Sequence, residues 1–175
     1  MHLRKGFSLI ELLIVILIIG IIYTLAIGNF QRLQEGETKL SLQNLKTYLM
    51  RFPHEQSVRL LCLERCSKCD IFVDGELNTE AEVESFLDES VQTYRYEYSL
   101  GAIKEPQTTY FNSEDVEEEV CFSYTIDKKG VGEQVLVEFQ NNVYDLSTYF
   151  TPTPKYNSLE EAVSEKDRVI EEVLR

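Results

Sequence analysis

One run near the start of the chain constrains everything after it. Sixteen residues, Leu12 to Ile27, carry no charge, and Arg4 and Lys5 stand just before them. Counted from Phe7 to Ile27 the apolar span is 21 residues. At ~1.5 Å per helical residue that is roughly 31 Å, about one hydrocarbon thickness. In lipid such a run must be helical, because its backbone groups find no water. The two bases favour a cytoplasmic start and place the rest of the chain outside. Glu11 breaks the pattern. A carboxylate inside an apolar span costs on the order of 2.5–3.5 kcal/mol, so it calls for a partner or a task. Nothing basic between Leu12 and Ile27 can pair with it; the partner must come from another molecule or from a newly made terminus.

Lys5-Gly6-Phe7-Ser8-Leu9-Ile10-Glu11 resembles the N-terminal signature of type IV prepilins and of type II secretion pseudopilins. The resemblance covers residues 4–28 and is vague beyond them. It implies cleavage between Gly6 and Phe7 by a membrane prepilin peptidase, which also N-methylates Phe7. It implies further that Glu11 pairs with the N-terminal amine of a neighbouring subunit during assembly. The partner that the bare physics asks for is then a cation made by proteolysis. One departure stands out: many major pilins carry a proline late in the apolar half, where this chain has Gly28, with Gly20 earlier. Glycine also weakens a helix interior.

Plainer readings of the same residues are a single-pass anchor with Glu11 near the interface, and a secretory signal cut at Ala26-Ile27-Gly28. Gly20, Thr24 and Gly28, spaced by four, also form a helix-packing face. Under the anchor or signal reading the chain is an extracytoplasmic binding module that uses residues 7–28 only for placement.

The chain has 175 residues and a net charge of −13, which becomes −15 once a leader carrying Arg4 and Lys5 and no acid is removed. About 145 residues outside the membrane suffice for one domain. Such an acidic surface argues against direct nucleic-acid binding. Carboxylates on it could bind divalent cations only weakly.

The expected architecture is α+β and type IV pilin-like. A leader spans 1–6, a transmembrane helix 7–28, and an amphipathic continuation 29–53, so that 7 to about 52 is one long helix. Leu33, Leu40, Leu45 and Leu49 recur on it at helical spacing, and Pro53 ends it. A globular antiparallel-sheet domain fills 54–150. Within it, Val58 to Cys69 reads as a Cys-rich connection, Asp74-Gly75 as a turn, and Glu80 to Asp88 as a short acidic helix. Tyr94, Tyr96 and Tyr98 alternate along a strand from Thr93 to Leu100. Gly101 to Glu119 reads as an irregular loop. Val120 to Ile126 and Glu133 to Gln140 read as a hairpin about Asp127–Gly130, followed by a turn at Asn141-Asn142 and a short strand at Val143 to Leu146. About four strands result, one face covered by the upper helix. Thr151 to Pro154 reads as a stiff spacer. A final helix, capped by Ser158 with Glu161, carries the stripe Leu159, Ala162, Val163, Lys166, Ile170, Val173 and Leu174. That stripe packs on its own domain or meets a neighbour.

Cys62, Cys66, Cys69 and Cys121 are the remaining chemistry. The spacing of the first three resembles the cluster ligands of radical-SAM enzymes, but the chain has neither the length nor the strand–helix alternation of that barrel. A zinc site using Cys121 or His54 is a second reading. Two disulfides in an oxidising compartment are the third, and four cysteines allow three connectivities. His54 stands alone, no nucleophile–base set can be argued from spacing, and no cofactor or metal is called for. The chain reads as a substrate of an enzyme, not as one. Its expected partners are the prepilin peptidase/N-methyltransferase, other pilin or pseudopilin subunits, and the inner membrane.

Overall fold

A computed structural model of the chain describes Ile10 and residues 13–20, 40–149 and 152–174. Residues 13–20 are helical, and their side chains are exposed from Leu13 to Ile19. A helix apolar on every side is made to be covered by lipid or by other helices. Among the described residues no helix is long and apolar enough to cross a membrane. Residues 40–174 form a compact unit of their own.

The upper helix departs from expectation. Most of the expected long helix, residues 21–39, lies outside the described residues; from residue 40 on, 42–44 is a turn and only Leu45–Leu49 (α1) is helical before Pro53. Asn44 shapes the turn: its Oδ1 accepts the Ser41 N–H at 2.8 Å, a local bond that competes with the helical ladder. Leu45 and Leu49 of the expected stripe are fully covered, Leu40 is partly covered, and Leu42, outside that stripe, is buried with them.

Among the described residues eleven strands follow, nine of them in two main sheets rather than one sheet of four. The first sheet is ordered β3-β2-β1-β8, from Ser57–Leu63 (β1), Lys68–Val73 (β2), Glu76–Glu84 (β3) and Phe122–Asp127 (β8). The second is ordered β11-β10-β9-β4-β5, from Gln92–Glu97 (β4), Gly101–Lys104 (β5), Leu136–Phe139 (β9), Asn142–Asp145 (β10) and Lys155–Tyr156 (β11). Thr108–Phe111 (β6) and Glu117–Val120 (β7) make a separate ribbon. The helix Leu159–Val173 (α2) closes the chain.

Six of these strands replace three other expectations. The Cys-rich connection is β1 and β2 with a 3-10 turn between them, and Leu60 to Leu63 is buried on both faces. A strand covered on both sides reads as a continuous apolar run, and the alternation that would betray it is lost. The acidic helix is instead β3, in which Ala81 and Val83 turn toward the core while Glu80 and Glu84 stay exposed. The loop at 101–119 contains β5, β6 and β7. Its ribbon is held down by Tyr110, whose ring meets Phe72 edge-on at 6.0 Å.

The turn at Asp127–Gly130 is where the sequence places it. Asp127 Oδ1 accepts the N–H groups of Lys129 and Val131, both at 2.8 Å. The strands on either side do not pair as a hairpin, however. After one bridge, Ile126 to Gly132, the chain leaves the first sheet and enters the second as β9. The main core lies between the sheets and takes Leu45 and Leu49 from α1, Val58, Leu60, Tyr124 and Ile126 from one sheet, and Val137 from the other. The ribbon covers the back of the first sheet around Leu61, Leu63 and Val120. The back of the second is covered by α2, through Ala162 and Leu159 against Tyr94, Tyr96 and Val143.

Tyr124 fixes the crossing point. It is fully buried, and its hydroxyl donates to the Leu146 carbonyl at 3.2 Å. A Cβ at Gly132 would lie 1.9 Å from that hydroxyl and 2.6 Å from the ring carbon bearing it. Gly132→Ala is therefore expected to force Tyr124 aside and to cost about 1–3 kcal/mol, the usual price of overpacking a core. Paired with Tyr124→Phe, which removes the clashing oxygen, it should cost less than the sum of the two single changes in chemical denaturation.

Asp74 and Gly75 make the two-residue β2–β3 turn with φ of 52° and 90°. The Asp74 carboxylate accepts three backbone N–H groups, from Glu55, Gln56 and Ser57, at 2.9, 2.7 and 2.9 Å. These bonds, Glu55's first, hold its pKa below the ordinary value. Beside it, the His54 ring lies 2.8 Å from the Phe52 carbonyl and 3.3 Å from that of Asp127. A neutral imidazole can donate to one carbonyl only, so the pair favours the cation and raises the His54 pKa. The two signs are opposite. Asp74's contribution to stability is present above its ordinary pKa and is lost as pH falls through the depressed native value. His54's is complete below 6.5 and is lost as pH rises through the raised native value. Asp74→Asn should flatten the acid limb of a melting-temperature profile, and His54→Gln the limb that begins near 6.5 and runs upward.

Candidate functional site

Three places carry polar or covalent chemistry. The first is the processing segment. Arg4, Lys5, Gly6, Phe7 and Glu11, the expected cleavage, methylation and assembly residues, lie outside the described residues.

The second is the disulfide head. Cys62 and Cys69 face each other across the β1–β2 register and are bonded. Cys66, in the 3-10 turn between those strands, is bonded to Cys121 at the junction of β7 and β8. All four thiols are thereby consumed. None is left for zinc or for an iron–sulfur cluster, and both metal readings of the cysteine spacing fall. Among the described residues no cluster of His, Cys, Asp or Glu could hold a metal ion. Glu64, Arg65 and Cys66 take positive φ in succession, 48°, 58° and 65°. For non-glycine residues that costs roughly 1–2 kcal/mol each, and the two bonds pin the turn from both sides.

The third is a buried ionic knot that sequence reasoning did not find. The Asp145 carboxylate is 3% exposed at the end of β10. Lys166 of α2 reaches it at 2.9 Å and donates to Ser147 Oγ at 2.5 Å. The Ser147 hydroxyl and N–H both bond Asp145 Oδ1, at 2.5 and 2.9 Å. Lys46 of α1 donates to the Thr148 carbonyl; burial pulls its pKa down, the Asp145 charge opposes that, and Lys166 adds to it. Lys166 also lies 5.6 Å from the centre of the Tyr96 ring, and the Tyr96 hydroxyl donates to Asp167. Burial and that bond push Tyr96 up to about 12. The turn after β10 is thus tied to α2 through the Asp145 carboxylate and to α1 through the Thr148 carbonyl. The signal was present in the sequence: Lys166 interrupts the apolar stripe of α2, and a cation on a packed face needs a buried acid.

Lys166→Ala would leave Asp145 buried without its nearest cation. The expected cost is about 3 kcal/mol, at the low end for breaking a buried pair because Ser147 still bonds the carboxylate. Removing both charges as Asp145→Leu with Lys166→Met should recover most of that loss in a denaturation series.

The knot also corrects the reading of the C-terminal segment. Thr153 is buried and the Pro154 carbonyl accepts the Asp145 N–H at 3.0 Å, so the described part of the spacer is docked against β10 rather than free. The capping box is shifted by one residue. Ser158 Oγ accepts the Glu161 N–H at 3.2 Å as expected, but the Glu161 carboxylate returns to the N–H of Asn157 at 2.9 Å. The first half of α2 packs on the domain, whereas Val173 and Leu174 are 80% and 71% exposed.

Among the described residues these three places do not assemble a nucleophile with a base. The decisive finding lies at the other end of the chain, where residues 1–27 match the family described as the prokaryotic N-terminal methylation motif. Residues 1–27 carry the type IV prepilin and pseudopilin signal. This signal marks pilin-like structural subunits, not enzymes, and implies processing by a prepilin peptidase, a membrane anchor and assembly with other pilin-like subunits. No curated protein and no solved structure matches the chain. The α+β head with its antiparallel sheets and C-terminal helix is therefore read on its own terms.

Proposed function

We propose that the chain is a minor pilin or pseudopilin, a structural subunit of a type IV pilus or of a type II secretion pseudopilus. The methylation motif carries this reading, because it alone supplies a partner for the carboxylate of Glu11. Residues 1–6 are the leader, with Arg4 and Lys5 on the cytoplasmic side. Residues 7–28 span the inner membrane, 29–53 continue outward, 54–150 form the head, and 151–175 close it. Cleavage between Gly6 and Phe7 frees an amine, which is methylated on Phe7. Glu11 of one subunit draws in that amine on its neighbour, where low dielectric makes the pairing strong. The all-round apolar helices then bundle, and the acidic head faces outward. The exposed chain end of α2 and the extra ribbon favour a minor subunit over a repeating major one.

Mass spectrometry of the N-terminal peptide from the host's membrane fraction tests the reading. A peptide beginning at Phe7 with one added methyl group is expected. A start at Asn29 would replace the proposal with a secreted binding module, and an intact Met1 with a plain anchor.

A further inference from the structure

The first sheet ends differently on its two sides. At one side stands β3, and at the other β8. Along β8, Phe122, Tyr124 and Ile126 lie opposite Cys62, Leu60 and Val58 of β1. The intervening residues turn their backbone groups the other way. Asp127 donates outward to the Val131 carbonyl at 2.9 Å, and Thr125 accepts outward from the Glu133 N–H at 3.1 Å. The same alternation turns the N–H and C=O of Ser123 outward. Beyond the single bridge from Ile126 to Gly132, no strand among the described residues lies along this edge. Instead Ser123 lines a cleft of about 850 Å³, walled on its far side by the stretch from Lys104 to Thr108. The cleft is acidic: Glu89, Glu105 and Glu133 line it against the one cation Lys104. Glu133 marks how the edge is used within the chain. Its N–H bonds the Thr125 carbonyl at 3.1 Å, at the ladder position next to Ser123.

We propose that the open edge of β8 is a docking site for an extended, Lys- or Arg-bearing segment of another polypeptide, which joins the sheet beside Ser123. The backbone of such a segment pairs with the Ser123 N–H and C=O, as in strand addition to an exposed edge. Its basic side chains, which alternate to either side, meet Glu89, Glu105 and Glu133. A second copy of this chain fits poorly, because its net charge is −13. The site lies wholly within the head and holds whether or not residues 1–6 are removed.

The test uses the full chain in mild detergent and a short acetylated peptide of alternating Lys and Val, with a Glu–Val peptide of equal length as control. Backbone hydrogen exchange is followed by mass spectrometry. The Lys–Val peptide is expected to slow exchange at Ser123 at least tenfold, and the Glu–Val peptide to leave it unchanged. Ser123→Pro deletes the outward N–H at a position where an edge tolerates proline, and should weaken binding of the Lys–Val peptide at least tenfold while exchange at Tyr124 stays slow. Glu105→Gln with Glu133→Gln, which leaves the edge itself intact, should weaken the peptide's affinity about tenfold. Binding without protection at Ser123 would overturn the proposal, as would equal binding of the two peptides. Protection of Ser123 that grows with protein concentration alone would assign the edge to a second copy instead.

Discussion

Gly6→Ala is expected to leave the protein at its full-length mass in the membrane, with no methylated Phe7 and no incorporation into fibres. In the proposed processing the cut follows Gly6, a residue without a side chain, beside the charges of Arg4 and Lys5. Adding a methyl group there blocks the step that creates the new amine. Glu11→Ala should behave differently, and the contrast is the point. Its leader should be removed and Phe7 methylated as usual, and membrane insertion should improve, because a carboxylate costing on the order of 2.5–3.5 kcal/mol is gone from the apolar span. Recovery in sheared fibres or in a cross-linked pseudopilus fraction should nevertheless fall by at least tenfold, about 1.4 kcal/mol of lost pairing. Glu11→Gln keeps the shape and loses the charge, and should follow Glu11→Ala. If all three variants matured and assembled like the parent, the fibre mechanism would be wrong.

The second large effect lies in the head. Breaking Cys66–Cys121 as the double serine variant releases a loop with a sequence separation of 55, whereas Cys62–Cys69 closes one of only 7. Loop-closure entropy assigns about 4 kcal/mol to the first and about 2 kcal/mol to the second. The longer bridge should therefore be the more damaging loss, lowering the melting temperature of the full chain in detergent by roughly 15 °C. Part of the loss is returned when the left-handed turn at Glu64–Cys66 relaxes, so the measured value should sit somewhat below the entropic figure. Equal effects of the two bridges would show that the loop between Cys66 and Cys121 is ordered even before the bond forms.

What the sequence disclosed follows from how local each signal is. The apolar span with Glu11 after Phe7 is contiguous and charged in one place, so it was legible at once. The turns at Asp74-Gly75 and Asp127–Gly130 and the cap at Ser158 depend on neighbours a few residues apart, and they were legible too. The turn at Asn141 was displaced by one, since Gln140 and Asn141 both take positive φ, at 50° and 59°. β1 was missed because Leu60 to Leu63 is buried on both faces and shows no alternation. β3 was missed because its glutamates suit a helix, although Glu80, Ala81, Val83 and Glu84 already follow a period of two. The partner of each strand was not legible at all: the segment after Ile126 reads the same whether it returns as a hairpin or crosses to a second sheet. Nor was the choice among three disulfide connectivities, because Cys121 finds Cys66 only through that topology. The knot at Asp145 unites residues 21 positions apart in Asp145 and Lys166 with Lys46 far upstream, and only the oddity of Lys166 in an apolar stripe hinted at it.

The outermost strand of the first sheet bears on crowding. Glu76, Glu80 and Glu84 are exposed along β3, and antiparallel pairing of two such strands would set like charges side by side, which is unfavourable. Heads packed at high density along a filament cannot zip to one another there. The sheet is in this sense one-handed: sealed against its own kind at β3, and able to accept a guest of opposite charge only at β8. Under the proposed function, polymerisation then rests with the apolar N-terminal segment, and the acidic edge makes each head self-avoiding however closely its neighbours are drawn in.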